Sequence, residues 1–521
     1  MTPSKYDTYT SPLAERNASP EMLRLWSPRH KFNTWRRIWL AVAEAQHELT
    51  SSASDGASAG ASGASQRTSA PLVTKEQLEE LRAVVERGIT DAEMQAAEKY
   101  ERELRHDVMA HVHALGDSCP KAKGIIHLGM TSQDVVCNAD LLALRESLRL
   151  VGFKIDRAVY ALGEFARAHR QTATLGFTHY QPAQPLTVGR RAIQWAYELD
   201  LSHDNLRERS SELVCGGRGL KGATGTQASF LALLGGNGTS VDLLESRFMK
   251  SLFDNDTDWH DMYQFTCQTY PRVHDTIVLS RLGSVAAVLH KIATDIRLLC
   301  NRKEIDEPFE SKQIGSSAMP YKRNPMRCER ICGLARFVMN LVGNAYDTAA
   351  TQWLERTLDD SSNRRLSLPE AFLALDGALD LMHNVASGLI VHEAMVRKNL
   401  MAELPFMATE NILMACVKLG GDRQHYHELI RQHAQAAGLR VKQEGLDNDL
   451  LDRLKADKNF WSKDRGGPLT SDLDWDGVLD PMKYVGRSVE QTERFIKEVI
   501  DPLREQYGEA IANLGTSEPK V

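Results

Sequence analysis

Long apolar runs are missing from this sequence. None approaches the ~20 residues that a membrane-spanning helix needs, so no helical anchor is expected. The opening stretch, MTPSKYDTYTSPLAER, lacks the apolar core of a secretory signal and makes a poor transit peptide, which leaves the cytoplasm as the expected compartment. Cysteine is sparse, eight in 521 residues, and falls at no disulfide-framework or zinc-ligand spacing. The closest pair, Cys328 and Cys332, stands one helical turn apart with no second pair nearby, so reduced core thiols are expected. Positive charge is not in excess either: 63 Lys and Arg against 69 Asp and Glu give a net charge of −6. That balance speaks against a nucleic-acid partner, which normally meets a basic face. Any affinity for anions must come from local clusters. No alternating pattern is strong enough to announce a major sheet.

What is present reads as helix. Leu368, Phe372, Leu375, Leu379, Met382, Ala386 and Leu389 alternate spacings of four and three, an apolar stripe on one helical face. Val188, Ala192, Trp195, Leu199, Leu206 and Leu213 trace another. Leu282, Val285, Leu289, Ile292, Ile296 and Leu299 form a third, in a segment opened by Pro271 that spans ~30 residues or roughly 45 Å. An apolar content of 42% and a charged content of 25% are those of an ordinary soluble globular protein, and the length exceeds what one compact core holds. The expected fold class is all-α, with several domains around a long-helix bundle extended by packing against other copies of the chain. Ser51–Ala70, SSASDGASAGASGASQRTSA, is nearly all Ser, Ala and Gly and reads as a flexible surface insert between two helices.

One earlier helix carries ionisable residues. Leu104, Val108, Val112 and Leu115 make its buried stripe, with Arg105, His106 and Asp107 between them and His106 and His113 on one face. A solvated face or satisfied core histidines explain these too, and on these residues alone that is the preferred reading.

Three further segments concentrate chemistry. Gly315–Glu329, GSSAMPYKRNPMRCE, is a poor helix up to Pro325 and is ringed by Lys312, Lys322, Arg323, Arg327 and Arg330, a local anion trap in an acidic protein, although by charge alone a solvated basic loop is the favoured reading. Trp353–Arg365, WLERTLDDSSNRR, sets Arg356, Arg364 and Arg365 beside Ser361, Ser362 and Asn363. Arg forks suit carboxylate and phosphate oxygens, although ion pairs with Asp359 and Asp360 account for the same residues. Thr174–Pro185, TLGFTHYQPAQP, places His179, able to exchange a proton near neutrality, in a turn-forming stretch before a long helix. Two other patterns carry less. Gly217–Gly222 fits G-x-G-x-x-G but follows no apolar strand, and His425, His427 and His433 do not have zinc-protease spacing.

The loop GSSAMPYKRNP resembles the signature loop of the fumarase/aspartase superfamily, whose members eliminate fumarate by breaking a C–N or C–O bond. RHDVMAHVH at 105–113, GIIHLGMTSQD at 124–134, TLGFTHYQPAQ at 174–184, GTQASF at 225–230, ERTLDDSSNRR at 355–365 and ELPFMATENI at 403–412 are similar to one branch of it, the adenylosuccinate lyase family. The likeness implies cleavage of adenylosuccinate to AMP, and of the succinyl-aminoimidazole carboxamide ribotide to AICAR, each releasing fumarate, in purine nucleotide biosynthesis. It implies no cofactor and no metal. It also implies a homotetramer whose active sites draw on several chains. The domains expected are an N-terminal helical domain at 1–131, the long-helix bundle at 132–391 and a C-terminal helical domain at 392–521.

By the same resemblance Ser316 is the general base, His179 the general acid, Glu329 the carboxylate that supports it, and His106 a second active-site histidine that orients substrate. Lys322 and Asn324 would hold the succinyl carboxylates. Further substrate contacts fall at Arg16, Arg105, Asp107, Thr131, Ser132, Thr178, Gln268, Arg330, Arg356, Ser361 and Arg365. Two positions depart from the family's pattern. Asn17 stands where tyrosine is usual, and Met130 where a smaller residue is common. The alternatives are another fumarate-releasing C–N lyase of the superfamily and, as folds do not fix function, a non-catalytic helical scaffold.

Overall fold

The computed structural model describes residues 7–55, 71–207, 216–252, 262–310, 312–460 and 473–513. The N-terminal part runs through α1 (Pro20–Leu25), α2 (Pro28–Asp55), α3 (Lys75–Arg87), α4 (Asp91–Leu104) and α5 (Asp107–Ser118). The starts of α3 and α4 are set by reciprocal caps, Thr74 with Gln77 and Thr90 with Glu93, each satisfying two N–H groups that a helix start leaves open. The stretch from Leu104 to Leu115 is two helices, not one. Arg105 sits in the left-handed region at φ +54° and ends α4, His106 caps α5, and Leu104 is exposed rather than buried. His106 and His113 turn to different neighbours: His106 meets Ser132, and His113 packs on Tyr100 with ring centroids 5.3 Å apart.

The centre of the chain is a bundle of long helices: α6 (Ser132–Ala168), α7 (Val188–Arg207), α10 (Val273–Asn301), α11 (Met326–Ala350) and α12 (Asp359–Gly388). Between α7 and α10 lie two shorter helices, α8 (Ala228–Leu233) and α9 (Gly238–Leu252). The described parts of all three apolar stripes line the bundle core, save Leu389 at its edge. Leu206 and Leu213 fall outside the residues whose side chains are described, as do residues 56–70 of the Ser/Ala/Gly insert, whose first residues continue α2.

Side-chain pairs give the helix directions. His203 Nδ1 lies 2.8 Å from Asp156 Oδ1 and the start of α7 meets the end of α6, so these two run antiparallel. Ser280 meets Tyr346 and Thr294 meets Cys332, so α10 and α11 are antiparallel as well. α12 returns parallel to α10 and α6, tied by Arg272–Asp360, Arg364–Asp140 and Lys154–Asp376. The bundle thus has two distinct ends. The head holds the starts of α6, α10 and α12; the tail holds their C-termini and the start of α11. At 1.5 Å per residue, the 37 residues of α6 put about 55 Å between them.

The fold is mostly helical but carries two small antiparallel ladders that the sequence pattern did not announce: β1 (Ala173–Thr178) with β2 (Gln181–Thr187), and β3 (Ile305–Asp306) with β4 (Ile390–Val391). The first lies within the turn-rich stretch around His179, where its two prolines obscured any period of two. α10 is also long and apolar enough to cross a bilayer, which the reading by apolar runs missed. Here its stripe is covered by α7, α11 and α12. The C-terminal part continues with α13 (Glu393–Met407), α14 (Thr409–Lys418) and α15 (Arg423–Leu439). It closes with α16 (Leu450–Ala456), α17 (Trp475–Val478), α18 (Ser488–Phe495) and α19 (Asp501–Asn513). Residues from Ala408 to Leu473 form a separate apolar core there, while Ile496 and Ile500 return to the bundle.

Candidate active site

At the head, a buried carboxylate organises the start of α6. Asp134, fully buried, accepts from the Lys221 and Gly222 N–H groups at 3.0 Å each, from Thr131 N at 2.7 Å and from the Arg218 guanidinium. The G-x-G-x-x-G stretch therefore wraps a side chain of its own protein. It follows no described strand, and the N–H groups of Gly219, Leu220, Lys221 and Gly222 are already taken by Asn138, Glu245 and Asp134. The result presents Thr131 and Ser132 at the mouth of a helix.

His106 comes to the same place from α5. Its Nδ1 accepts from Met109 N at 3.3 Å, so a neutral ring carries its proton on Nε2, which faces Ser132 Oγ at 3.3 Å. Asp107 takes Arg365 of α12 at 2.7 Å and its neighbour Val108 N at 2.8 Å. Burial pushes the Asp107 carboxyl up, but Arg365 outweighs it and holds the group below its ordinary value. Arg356 pairs with Asp360 at 3.3 Å, as the bland reading of that segment has it, yet its Nη1 is buried with no hydrogen-bond partner among the described residues. Gln268 hydrogen-bonds through its backbone to Glu355, beside Arg356, and Ser361 opens α12. Arg105, His106, Asp107, Thr131, Ser132, Gln268, Arg356, Ser361 and Arg365 are thus one head group.

The tail gathers the remainder. Thr178 pairs with Gln181, so His179 and Tyr180 are the two-residue turn of the β1–β2 hairpin, with φ of +52° and +56°. Such a turn favours Asn and Gly. Two side-chain-bearing residues held there cost about 1–2 kcal/mol each, strain of the kind stored where a side chain must be aimed. The hairpin is pinned midway by Arg191, which donates to Leu175 O, and near its turn by Arg302, whose guanidinium lies 4.7 Å from the Phe177 ring centroid.

The Gly315–Pro325 loop lies between β3 and α11. Ser316 Oγ accepts from Met319 N at 3.1 Å and from Ala318 N at 3.4 Å. Asn324 donates to Gly315 O at 2.8 Å, and a Cβ on Gly315 would stand 2.1 Å from Lys322 O, so glycine alone lets the loop close on itself. Of the five cations expected to trap anions here, Arg327 is buried and committed to Pro308 and Glu310, and Arg323 stacks on Phe309. Lys322 is exposed. Arg330 is held below its ordinary value by burial and by Arg16 nearby. Among the described residues, the side chains of His179, Lys322 and Glu329 make no hydrogen bond or ion pair, so the chain itself does not join Glu329 to His179. Asn17 donates to Pro12 O, and Met130 packs on the N-terminal core.

Sequence reasoning missed Lys31 and His127. Lys31 lies 4.9 Å from the Trp35 ring centroid; burial lowers its pKa, with Arg365 adding to the effect and Asp140 and Asp107 opposing it. His127 accepts from Trp39 Nε1 at 3.1 Å and is pushed down to about 4 by burial. Lys31 sits in no telling motif, and RHKF gives no hint that its lysine turns towards Asp107; His127 lies within GIIHLGMTSQD, where the likeness singled out Thr131 and Ser132 but not the histidine. His425, His427 and His433 disperse: His433 meets Asp457, His425 packs on Tyr426, and His427 is exposed.

Residues 18–340 match the family described as Lyase, and residues 405–495 match the adenylosuccinate lyase C-terminus. An adenylosuccinate lyase from Schizosaccharomyces pombe is 48% identical over 494 residues, 94% of each chain. The chain belongs to the adenylosuccinate lyase family. A second adenylosuccinate lyase, from Saccharomyces cerevisiae, is 46% identical over 95% of each chain. The fold extends beyond the adenylosuccinate lyase family. A 3-carboxy-cis,cis-muconate lactonizing enzyme from Pseudomonas putida matches with a TM-score of 0.74 at 24% identity, over 94% of this chain and 99% of that one. A fumarate lyase from Mesorhizobium sp. BNC1 matches with a TM-score of 0.72 at 21% identity, over 94% of this chain and all of that one.

Proposed function

We propose that this chain eliminates fumarate from adenylosuccinate, giving AMP, and from the succinyl-aminoimidazole carboxamide ribotide, giving AICAR. It does so as a cofactor-free homotetramer in the cytoplasm. The observation that carries the reading is the division of the site residues into a head group and a tail group at opposite ends of α6. Each is a partial site: the head offers Arg, His and hydroxyl donors for an anionic substrate, and the tail offers the proton-transfer groups on exposed turns. Joining the head of one chain to the tails of others completes the set, and the long helices supply the bundle for it.

In the reaction, Ser316 takes the proton from the succinyl carbon next to a carboxylate. The electron pair forms the new C=C bond, the C–N bond breaks, and His179, supported by Glu329, protonates the departing nitrogen. Serine is a poor base unless its alkoxide is stabilised, and the Ala318 and Met319 N–H groups already point at Ser316 Oγ. Lys322 and Asn324 hold the succinyl carboxylates as charge develops. His106 and Ser132 orient the substrate, while Arg105, Arg356, Arg365, Arg330 and Arg16 meet its remaining anionic oxygens, with Asp107 aiming Arg365. Thr131, Thr178, Gln268, Ser361 and Asn17 complete its surroundings. We also read the chain as three domains, 1–131, 132–391 and 392–521, a division supported by the separate core after Ala408.

The test is an absorbance assay of purified protein on both substrates, without added cofactor, alongside His179→Ala and Ser316→Ala. Release of AMP and fumarate by wild type, with both variants slowed about 10²-fold or more, supports the reading. Wild type inert on both substrates overturns it.

A further inference from the structure

The base of the signature loop is tied in both directions. Glu307, 4% exposed, stands just before the loop and reaches across to the start of α11. There its Oε1 accepts from Arg327 N at 3.0 Å and its Oε2 from Cys328 N at 3.1 Å. Arg327, 7% exposed, returns the gesture. Its Nη1 donates to Pro308 O at 2.7 Å, and its Nη2 meets the Glu310 carboxylate.

We propose that Glu307 and Arg327 form a clasp that sets the segment after β3 against the start of α11, the two ends of the signature loop, and so positions Ser316 for proton abstraction. The inference rests on the reading of Ser316 as general base. The path from clasp to base is short. Glu307 fixes where α11 starts, and Met326 N donates to Asn324 O at 2.8 Å. Asn324 in turn holds Gly315 O, next to Ser316. A shift of one end of the loop against the other would be passed to Ser316 by this chain of bonds. Both partners are buried, and their bonds are charge-assisted, the kind that is both strong and geometrically demanding. The arm to Glu310, whose side chain is 62% exposed, is the weaker one, since water screens it.

Glu307 and Arg327 touch no substrate on this account; they are positioning residues, and the prediction is a split between kcat and KM. Glu307→Gln keeps the shape but puts an NH2 group opposite one backbone N–H, and Arg327→Lys keeps the charge but loses the fork. Each should lower kcat about 10- to 100-fold, the loss expected when a reacting group is displaced by about 1 Å. KM should stay within about threefold of wild type, because the substrate contacts remain. A variant destabilised elsewhere, Glu93→Gln in the N-terminal part, controls for lost stability: at an equal fall in Tm it should not show the kcat loss. Full kcat in both Glu307→Gln and Arg327→Lys, with Ser316→Ala dead, overturns the clasp alone. An active Ser316→Ala overturns the general-base reading and the clasp with it. A kcat loss matched by Glu93→Gln at equal Tm shows a merely structural role and also overturns the proposal.

Discussion

Arg365 donates to Asp107 across 2.7 Å, joining residues 258 positions apart and bringing the start of α12 onto the start of α5. The arginine side chain is more than half exposed, so the pair adds at most about 1 kcal/mol to stability. If Arg365 meets substrate as proposed, the value of the pair is in aim, because the carboxylate fixes one side of the fork and leaves its other donors to an anion. Asp107→Asn should raise KM about tenfold with Tm nearly unchanged, read by steady-state kinetics beside a thermal melt.

Lys31 is a cation set into an aromatic wall beside that pair. Burial already disfavours its charge, and an anionic ligand would restore it. Lys31→Met should therefore raise KM roughly 10-fold or more and affect kcat less, since a hydrogen bond to a charged group is worth about 1.5–3 kcal/mol. Equal KM values for variant and wild type would remove Lys31 from the site.

If head and tail meet only between chains, two dead variants should rescue each other. His106→Ala and His179→Ala, co-refolded in equal amounts, should recover up to about a quarter of wild-type activity, because random assembly leaves that share of sites with both residues intact. Mixtures no more active than either parent would place both histidines in one chain's site.

Acid should weaken the N-terminal part through Glu93. Burial pushes its carboxyl up, but hydrogen bonds from Arg87, Ser118 and Thr90 prevail and pull it down to about 2. A depressed carboxyl stabilises the fold above its unfolded pKa, near 4.5, and that stability is lost as pH falls from there towards about 2. Glu93→Gln should thus be less stable at neutral pH, by roughly 1.5–3 kcal/mol. Denaturant melts of the two proteins should converge between about pH 4.5 and pH 2.

Much of this molecule was legible before any coordinates. The described parts of the apolar stripes lie in α7, α10 and α12, save Leu389 just past the end of α12, because a helix shows its buried face as a period of 3.6 whatever it packs against. The glycine and prolines of Gly315–Pro325 forbade a helix there, and the side chains of Ser316, Lys322 and His179 were visible as chemistry. Other features had no sequence signal. Arg105, His179 and Tyr180 occupy left-handed backbone without being glycine, a conformation that only surrounding contacts enforce, so one expected helix became two and a turn became a hairpin. Arg327 looked like an anion ligand until the fold committed it to Pro308 and Glu310. Periodicity names the face that a residue occupies but not the residue it meets. For that reason the sequence by itself determined the long bundle helices and which side chains bear chemistry. Only the tertiary structure decided that Arg365 faces Asp107 and that His106 and His179 lie about 55 Å of helix apart.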